Sequence, residues 1–585
     1  MNLKLSLLLL FISHVLYAQL SVRNDNFIFA DDALIFVEDD INLNETNSRI
    51  YLRNEAQVIQ GTGTTGNSGI GELSVYQEAN VDAYEYNYWC APIGDKTSNN
   101  SNNLFGISLL NDATGLITST PATYNSSSNY NGTSSPLNIE PYWIWKFVAS
   151  DNYSHWVHVR SLTTINPGEG FTMKGTNGSG SAQQYDFRGK PNNGTISTDV
   201  LNNQYTLTGN PYPSAMDAVS YIHDTENAAV ITGVLYYWEQ DPNINSHNIT
   251  DFQGGYATYT ISSDGLTETF ISAVFNTYNS DGSINTSNTG TGSKTARRYI
   301  PIGQGFMVEG TATGTVKAKN SHRVYIKESD ANSEFFKIKN TKKSSKSYTE
   351  DRFSIIPNDY KRFRLNIDFN NTYTRQLVQT FNREATSGFD YGLEINVNPD
   401  ELLNSDAYFK SGENLYLGEA LSFDENLKIP LYLDVQNKMS VRIRIADIQN
   451  FDASQPIFVL DTENNTFTNL RSGDFEIELR PGNYDNRFEI VFSQQSLSTI
   501  ENEHVALKVF QDNQRSLLRI SNPGQQDIKS VCIYDISGKK IFKRRKWPKS
   551  KEHKVSTNSY SNGVYIVKIV LKDRQLFTKK VVVTN

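Results

Sequence analysis

Alternation of apolar and polar residues dominates this chain. Every second residue of 362–369 is apolar, and the segments 441–445 and 475–479 repeat this pattern. Successive side chains of a strand point to opposite faces, so the pattern predicts strands with one packed face and one wet face. Arg362 and Arg364 fall on the face predicted to be wet. With Gly, Asn, Asp and Pro between the strands, the sequence predicts an all-β fold of several tandem β-sandwich-like domains.

Residues 27–60 follow a different rhythm. Short apolar clusters recur there every seven to nine residues. This spacing suits either tight hairpins or the rungs of a short solenoid, and the sequence leaves both alternatives open.

Residues 86–330 contain a diverged internal repeat. Residues 165–173 (INPGEGFTM) correspond to 300–308 (IPIGQGFMV), and residues 142–145 correspond to 235–238. The order of the segments is kept, whereas their spacing differs because loops tolerate long insertions. The sequence therefore predicts two related β-units.

The predicted organisation has seven parts. They are a signal peptide at 1–18, a short-strand β region at 19–85, a β domain with two repeats at 86–330, a linker at 331–350, a β-sandwich domain at 351–493, a second linker at 494–502, and a small Ig-like β-sandwich at 503–585.

The first 18 residues have the features of a secretory signal. Lys4 supplies a positive start, an apolar core follows, and the small residue Ala18 precedes a predicted cleavage that leaves Gln19 first. The core is shorter than the roughly 20 apolar residues that span a bilayer, which disfavours a membrane anchor. No later segment approaches that length, so we expect no transmembrane segment in the mature chain.

Charge is distributed unevenly. Residues 503–585 hold 18 Lys and Arg against 6 Asp and Glu, although the whole chain has a net charge of −9. The long body is therefore acidic, which argues against nucleic acid as its ligand. The two cysteines, Cys90 and Cys532, fall in different predicted domains, so neither a disulfide framework nor a Cys-based metal site is expected.

The last 80 residues or so carry three signatures in order. They are VCIYDISGKKI at 531–541, SNGVYIVKI at 561–569 and TKKVVV at 578–583. This end of the chain resembles the C-terminal sorting domain of type IX secretion substrates of Bacteroidota. The resemblance implies a location in the medium or on the outer cell surface, reached through the periplasm, and the outer-membrane secretion machinery as partner. The residues that carry it are Tyr534, Asp535, Gly538, Lys539, Gly563, Tyr565, Lys579 and Lys580.

One departure from that family leaves the mode of attachment open. The commonest subtype opens with Tyr-Pro-Asn-Pro, whereas this chain has VFQDN at 509–513. Either cleavage with replacement by a lipid anchor or release is compatible with the sequence. Residues 353–492 resemble a β-sandwich unit found ahead of such sorting domains, and residues 50–94 resemble uncharacterised flavobacterial secreted proteins; neither resemblance implies an activity.

Three short motifs resemble cofactor- or metal-binding sites, but the residues around each one disfavour that function. Residues 61–66 match G-x-G-x-x-G, but the sequence that follows is a poor start for the helix that dinucleotide binding needs. His155 and His158 would face opposite sides of a strand, which disfavours a shared metal. Asp241, Asn243 and Asn245 imitate the opening of a calcium loop, whose later Gly and Glu are missing. No metal site is assigned, and a looser calcium site stays open as the one cofactor considered.

Aromatic residues supply the remaining candidates. Trp143, Trp145 and Phe147 are predicted to share one strand face, where they form either a core or a platform for sugar rings. Trp143, Trp145 and Trp156 are the candidate ligand-binding residues, and no catalytic residue is assigned. The first hypothesis is a non-enzymatic surface protein, an adhesin for carbohydrate or matrix. The alternative is a secreted polysaccharide- or protein-degrading hydrolase whose active site the sequence does not reveal.

Overall fold

The computed structural model describes residues 19–63, 66–97, 101–178, 182–329, 333, 356–386, 388–397, 401–494, 507–572 and 576–584. The predicted signal peptide, the linker at 331–350 apart from Ser333, and residues 495–502 of the second linker lie outside these ranges. Strands dominate the described chain, and the predicted all-β fold class is confirmed. The chain divides into two compact units, residues 1–494 and 495–585.

The first unit opens with eight strands: β1 Leu20–Val22, β2 Phe27–Asp31, β3 Leu34–Val37, β4 Ile41–Leu43, β5 Arg49–Arg53, β6 Gln57–Gln60, β7 Ser68–Gly69 and β8 Glu72–Asn80. They pair in parallel as β1-β4-β7, β2-β5-β8 and β3-β6, which are the three walls of a β-solenoid. Ile41, Ile50 and Val58, one from each wall, are fully buried in one apolar core. Residues 27–60 are thus solenoid rungs rather than hairpins.

The first repeat follows the solenoid. Its strands are β9 Tyr86–Cys90, β10 Ile93–Gly94, β11 Leu110–Ala113, β12 Ser119–Pro121, β13 Gly132–Ser134, β14 Leu137–Asn138, β15 Trp145–Lys146, β16 Val157–His158, β17 Gly170–Lys174, β18 Thr176–Asn177, β19 Ala182–Pro191 and β20 Ile196–Val200. Four of them form the sheet β16-β15-β17-β9. Strand β19 pairs antiparallel with β8, so it extends one solenoid wall.

The second repeat contains two short helices, α1 Ala218–Ile222 and α2 Thr225–Ala228. Its strands are β21 Tyr205–Gly209, β22 Ala215–Asp217, β23 Ile231–Gln240, β24 Gln253–Ile261, β25 Glu268–Ile271, β26 Val274–Tyr278, β27 Ile284–Thr291, β28 Tyr299–Ile300, β29 Gly305–Gly310, β30 Gly314–Ala318 and β31 Arg323–Val324. The main sheet runs β21-β29-β23-β24-β26-β27. Among the described residues, no helix is long and apolar enough to cross a bilayer.

The two repeats share one strand order, β9-β17-β15-β16 in the first and β21-β29-β23-β24 in the second. Gly170 pairs with Cys90 in the first repeat, and Gly305 pairs with Gly209 in the second. In this register, residues 142–145 correspond to 233–236, so the match with 235–238 predicted from the sequence is wrong by two residues. Trp145 pairs with Thr172, and its equivalent Tyr236 pairs with Met307.

Glycines let the two repeats approach closely. The Gly303 carbonyl accepts a hydrogen bond from the Cys90 N–H at 2.8 Å. A Cβ on Gly305 would lie 2.7 Å from the backbone nitrogen of Trp89, closer than real Cβ contacts come. Trp89 itself is fully buried between the repeats. The Gly-x-Gly-Phe segment of the second repeat therefore serves close backbone packing.

Eleven further strands complete the first unit: β32 Lys361–Phe369, β33 Tyr373–Phe381, β34 Ile395–Val397, β35 Asp406–Ser411, β36 Asn414–Leu421, β37 Lys428–Val435, β38 Met439–Gln449, β39 Phe458–Asp461, β40 Thr466–Asn469, β41 Phe475–Leu479 and β42 Gly482–Val491. They form one sheet. Arg362 and Arg364, which the alternation assigns to a wet face, are fully buried. Arg364 donates to the Phe270 carbonyl at 2.5 Å, because the second repeat covers that face of β32.

One apolar core joins this sheet to the repeats. It contains Leu207, Ile271 and Met307 of the second repeat together with Phe363 and Leu365 of β32. The regions predicted as separate domains at 86–330 and 351–493 therefore share a core.

The second unit contains β43 Lys508–Asp512, β44 Leu517–Ser521, β45 Ile528–Asp535, β46 Lys540–Arg545, β47 Glu552–Ser556, β48 Gly563–Leu571 and β49 Leu576–Val583. Its two sheets are β43-β44-β47 and β46-β45-β48-β49. Tyr565, Val567 and Ile569 are buried, whereas Ile566 and Lys568 between them are exposed. This is the small sandwich that the period-2 pattern predicts.

Candidate functional site

A tight turn interrupts the strand predicted around Trp143. Pro141–Trp143 is a 3-10 turn, and only Trp145–Lys146 follows as strand. Because the turn separates them, Trp143, Trp145 and Phe147 do not share one strand face, contrary to the prediction. Trp143 is buried with 7% exposure, whereas Trp145 is half-buried.

An aromatic surface, here named the Tyr142 patch, surrounds this turn. It consists of Tyr130, Tyr142, Trp145 and His158. Tyr130 and Tyr142 are 45% and 42% exposed, and their ring centroids lie 5.1 Å apart. Tyr142 lies 6.1 Å from Trp145, which stacks on His158 at 4.0 Å with 9° between the planes. The patch thus joins two exposed tyrosine rings to Trp145 and His158, which pair across β15 and β16.

Trp143 lies beneath the patch and fixes part of it. Its indole N–H donates to the Tyr130 carbonyl at 2.8 Å. Its ring also contacts Tyr142, at 4.7 Å between ring centroids, and His247, which stacks on it at 4.8 Å. Trp143 is therefore a support for the exposed rings rather than part of the surface.

Lys174 occupies an aromatic cage below Trp143. Its ammonium lies 3.9 Å from the Trp143 ring centroid, 4.6 Å from that of Tyr86 and 4.7 Å from that of Phe252. The side chain is nearly inaccessible, with 3% exposure. Burial lowers the pKa of Lys174 to about 7, and the charge of Asp82 opposes this shift. Cation–π contacts replace part of the lost hydration.

His247 closes the cage. Its Nδ1 lies 3.1 Å from Lys174 Nζ, and its Nε2 lies 2.6 Å from the Asn131 side-chain oxygen. Burial, together with the Lys174 charge, lowers the pKa of His247 to about 4. A neutral imidazole that accepts from Lys174 and donates to Asn131 satisfies all of these contacts.

Trp156, the third predicted aromatic, lies away from the patch. It packs against Phe147 at 4.9 Å and Tyr88 at 6.2 Å, both members of the shared core. The structure therefore brings Trp143 and Trp145 together and leaves Trp156 with the core.

The second repeat has an equivalent site with the opposite charge. Tyr86 pairs with Lys174 across β9 and β17, and Tyr205 pairs with Glu309 across β21 and β29. The Tyr236 hydroxyl donates a hydrogen bond to the Glu309 carboxylate at 3.2 Å. Burial and the nearby Glu401 carboxylate raise the pKa of Glu309 to about 6, against the effect of the Tyr236 hydrogen bond. Glu401 accepts a hydrogen bond from the Tyr205 hydroxyl.

A cavity of about 290 Å³ opens beside Glu309. Its lining residues come from α2, from strands of the second repeat and the loop after β29, and from the segment 389–396. They are Ala228, Ile231, Thr232, Val234, Tyr236, Glu309, Thr311, Phe389, Tyr391 and Asn396. Apolar walls with few polar groups are typical of small-ligand sites.

The residues of the sorting signature cluster on two turns and one strand pair of the second unit. Asp535 accepts from the Ser537 and Lys539 N–H groups, each at 3.0 Å, and Gly538 has a φ of 84° in the same turn. Gly563 starts β48. The remaining residues flank these elements: Tyr534 precedes Asp535, the last residue of β45, Tyr565 donates to the Ser561 carbonyl at 2.8 Å, and Lys579 and Lys580 lie on β49.

The motifs considered for metals have local structural roles. His155 ends a short 3-10 turn and is exposed, whereas His158 stacks on Trp145. Asp241 caps its own turn by accepting from the Asn243 N–H at 2.9 Å. Within the described residues, no group of three or more His, Cys, Asp or Glu is arranged to hold a metal ion. The calcium site considered from the sequence stays a prediction.

Two protein families together match nearly the whole chain. The family described as Domain of unknown function (DUF8693) matches residues 11–492, and Domain of unknown function (DUF8694) matches residues 496–583. The chain belongs to the DUF8693 family. The junction between the two matches coincides with the division into two units at 494 and 495. No curated protein matches the chain.

Solved structures with some similarity are distant. An immunoglobulin-like β-sandwich protein of the DUF3244 family from Bacteroides vulgatus has 18% identity and a TM-score of 0.12, over 13% of this chain and 84% of its own. The extracellular domain of a protein assigned as a one-component system from B. thetaiotaomicron has 9% identity and a TM-score of 0.10, over 66% and 61%. The BSP domain of a biofilm-associated protein has 10% identity and a TM-score of 0.13, over 87% and 98%.

Sequence analysis missed Lys174, Glu309 and Glu401. The first two could have been found, because the repeat places GFTMKG at 170–175 opposite GFMVEG at 305–310. A Lys in one copy and a Glu at the same place in the other is a visible signal. Glu401 comes from a distant segment, and only the fold brings it to this site.

Proposed function

We propose that this DUF8693 protein is a non-enzymatic, adhesin-like β-protein of the cell surface or medium that binds carbohydrate through the Tyr142 patch. The observation that carries the proposal is the pair of exposed rings of Tyr130 and Tyr142 beside the half-buried Trp145. Aromatic faces pack against the C–H faces of sugars, and water-exposed rings can do so without rearrangement of a core.

Support for the patch as a binding surface also comes from its rigidity. His158 stacks under Trp145, and the indole of Trp143 ties the Tyr130 loop to the turn. A preorganised surface loses little conformational entropy when a ligand binds.

A glycan array with the mature chain, residues 19–585, tests this function. We expect binding that Tyr142→Ala or Trp145→Ala weakens about two- to tenfold, since one aromatic contact contributes about 0.5–1.5 kcal/mol. Phe36→Ala, which removes a ring with 59% exposure on β3, is the matched control. Absence of glycan binding at micromolar concentration would count against the proposal, and release of reducing ends from a bound glycan would favour the hydrolase alternative.

The proposal includes export through the type IX secretion system. Its support is the order of the signatures in the second unit and the Asp535 turn that carries one of them. When residues 495–585 are deleted in the native host, we expect the rest of the chain to stay inside the cell envelope. Normal amounts of the truncated chain in the medium or on the cell surface would contradict this route.

A further inference from the structure

The cavity beside Glu309 combines one negative charge with aromatic walls. Among the described residues that line it, Glu309 is the one that is charged, and Tyr236, Phe389 and Tyr391 supply the rings. Phe389 is 37% exposed, so it stands at the accessible side of the site.

Glu309 has no cationic partner among the described residues. It accepts a hydrogen bond from the Tyr236 hydroxyl, and the second carboxylate nearby, Glu401, accepts one from the Tyr205 hydroxyl. Neither carboxylate forms an ion pair with a described Lys, Arg or His. The site thus carries uncompensated negative potential at a half-buried position.

The first repeat shows which group fits this architecture. There the equivalent position is Lys174, whose ammonium fills an aromatic cage made by Tyr86, Trp143 and Phe252. In the second repeat Tyr205 replaces Tyr86 as cross-strand partner, and Glu309 replaces the lysine. The cross-strand tyrosine is kept and Val234 stands at the place of Trp143, while Tyr236, Phe389 and Tyr391 supply the rings of the cavity. No described side chain supplies an ammonium there.

We propose that the cavity beside Glu309 binds a primary alkylammonium group supplied from outside the chain. The Glu309 carboxylate accepts hydrogen bonds from the N–H groups of this ammonium. The rings of Tyr236, Phe389 and Tyr391 contact the alkyl stem and the charged group. The volume of about 290 Å³ accommodates a short alkyl chain. This site is distinct from the Tyr142 patch, so either proposal can fail without the other.

Two probes distinguish a free amine from a lysine side chain. They are n-butylammonium and Nα-acetyl-lysinamide, titrated into the mature chain and followed by saturation-transfer NMR. Their neutral counterparts, 1-butanol and Nα-acetyl-norleucinamide, have similar stems without the ammonium. Binding of both amines indicates that the ammonium and stem suffice, whereas binding of the lysinamide alone assigns the site to polypeptide lysines.

Glu309→Gln should weaken binding of the amine by about tenfold or more, because a charge-assisted hydrogen bond becomes a neutral one. Phe389→Ala, which removes a partly exposed ring, should weaken it severalfold while the fold is kept. Glu478→Gln, an exposed carboxylate on β41, is the matched control and should bind as the unaltered protein does. Equal binding of the neutral probes, or unchanged binding by both cavity variants, would overturn the proposal.

Discussion

Lys174 and Glu309 occupy the same place in the two repeats and carry opposite charges. Each pairs across the sheet with a tyrosine, Tyr86 or Tyr205. Lys174 is enclosed by rings of its own chain, whereas Glu309 faces a cavity. Duplication of one β-unit has thus produced a filled site and an open one on the same framework.

Burial of Lys174 predicts a pH-dependent contribution to stability. Its pKa is about 7 in the folded chain against an ordinary value of 10.5, so the unfolded chain binds more protons between these values. Stability should therefore rise with pH from 7 to 10, by about 3 kcal/mol or more from this group. Lys174→Met should lack this rise when urea denaturation of both proteins is compared at pH 7 and pH 10.

Lys508→Met, a change of an exposed lysine on β43, controls for loss of a surface charge. Parallel pH profiles for Lys174→Met and the unaltered protein would show that the Lys174 ammonium is not destabilised by burial.

The buried side chain of Glu419 predicts the opposite dependence of stability on pH. It is buried on β36, and burial with the nearby Glu394 carboxylate raises its pKa to about 8 from an ordinary 4.5. The folded chain holds this proton longer than the unfolded chain, so stability should fall as pH rises from 4.5 to 8. Relative to the unaltered protein, Glu419→Gln should therefore gain about 4–5 kcal/mol in unfolding free energy between pH 4 and pH 9, measured by urea denaturation.

Glu413→Gln, an exposed carboxylate ahead of the same strand, should show no such gain. An equal pH response from both variants would refute a buried, protonated Glu419.

The ion pair of Lys294 with Glu85 should matter for stability because both side chains are almost fully buried, with 2% and 1% exposure. Glu85→Gln should destabilise the first unit by about 3–5 kcal/mol, since it removes the charge of one partner in a buried ion pair. The double change Glu85→Leu with Lys294→Met should recover most of that loss. Thermal unfolding followed by circular dichroism measures the stability of the single and the double variant. A double variant as unstable as the single one would argue against a pairwise interaction.

Close approach of the repeats predicts a large effect of Gly305→Ala. The added methyl would lie 2.7 Å from the Trp89 nitrogen, and backbone on both sides cannot move aside cheaply. We expect a loss of about 2–4 kcal/mol in unfolding free energy. Gly473→Ala, where a Cβ would meet no atom within 4 Å, is the control. Equal midpoints in urea would contradict close packing at Gly305.

The amino-acid pattern alone determines much of this protein. Period-2 alternation identifies the strands, and recurrence of Gly-x-Gly-Phe identifies the repeat, because both depend on local spacing. The same local information fails for Arg362 and Arg364, whose polar character predicts exposure. They are buried because another part of the chain covers their face.

The tertiary structure decided which residues meet. Apolar clusters every seven to nine residues fit hairpins and solenoid rungs equally, and the parallel pairing of distant strands resolves them. The repeat aligns Lys174 with Glu309, but only the fold places rings around one and a cavity beside the other. Periodicity is set by neighbours along the chain, whereas burial and charge environment depend on contacts between distant segments.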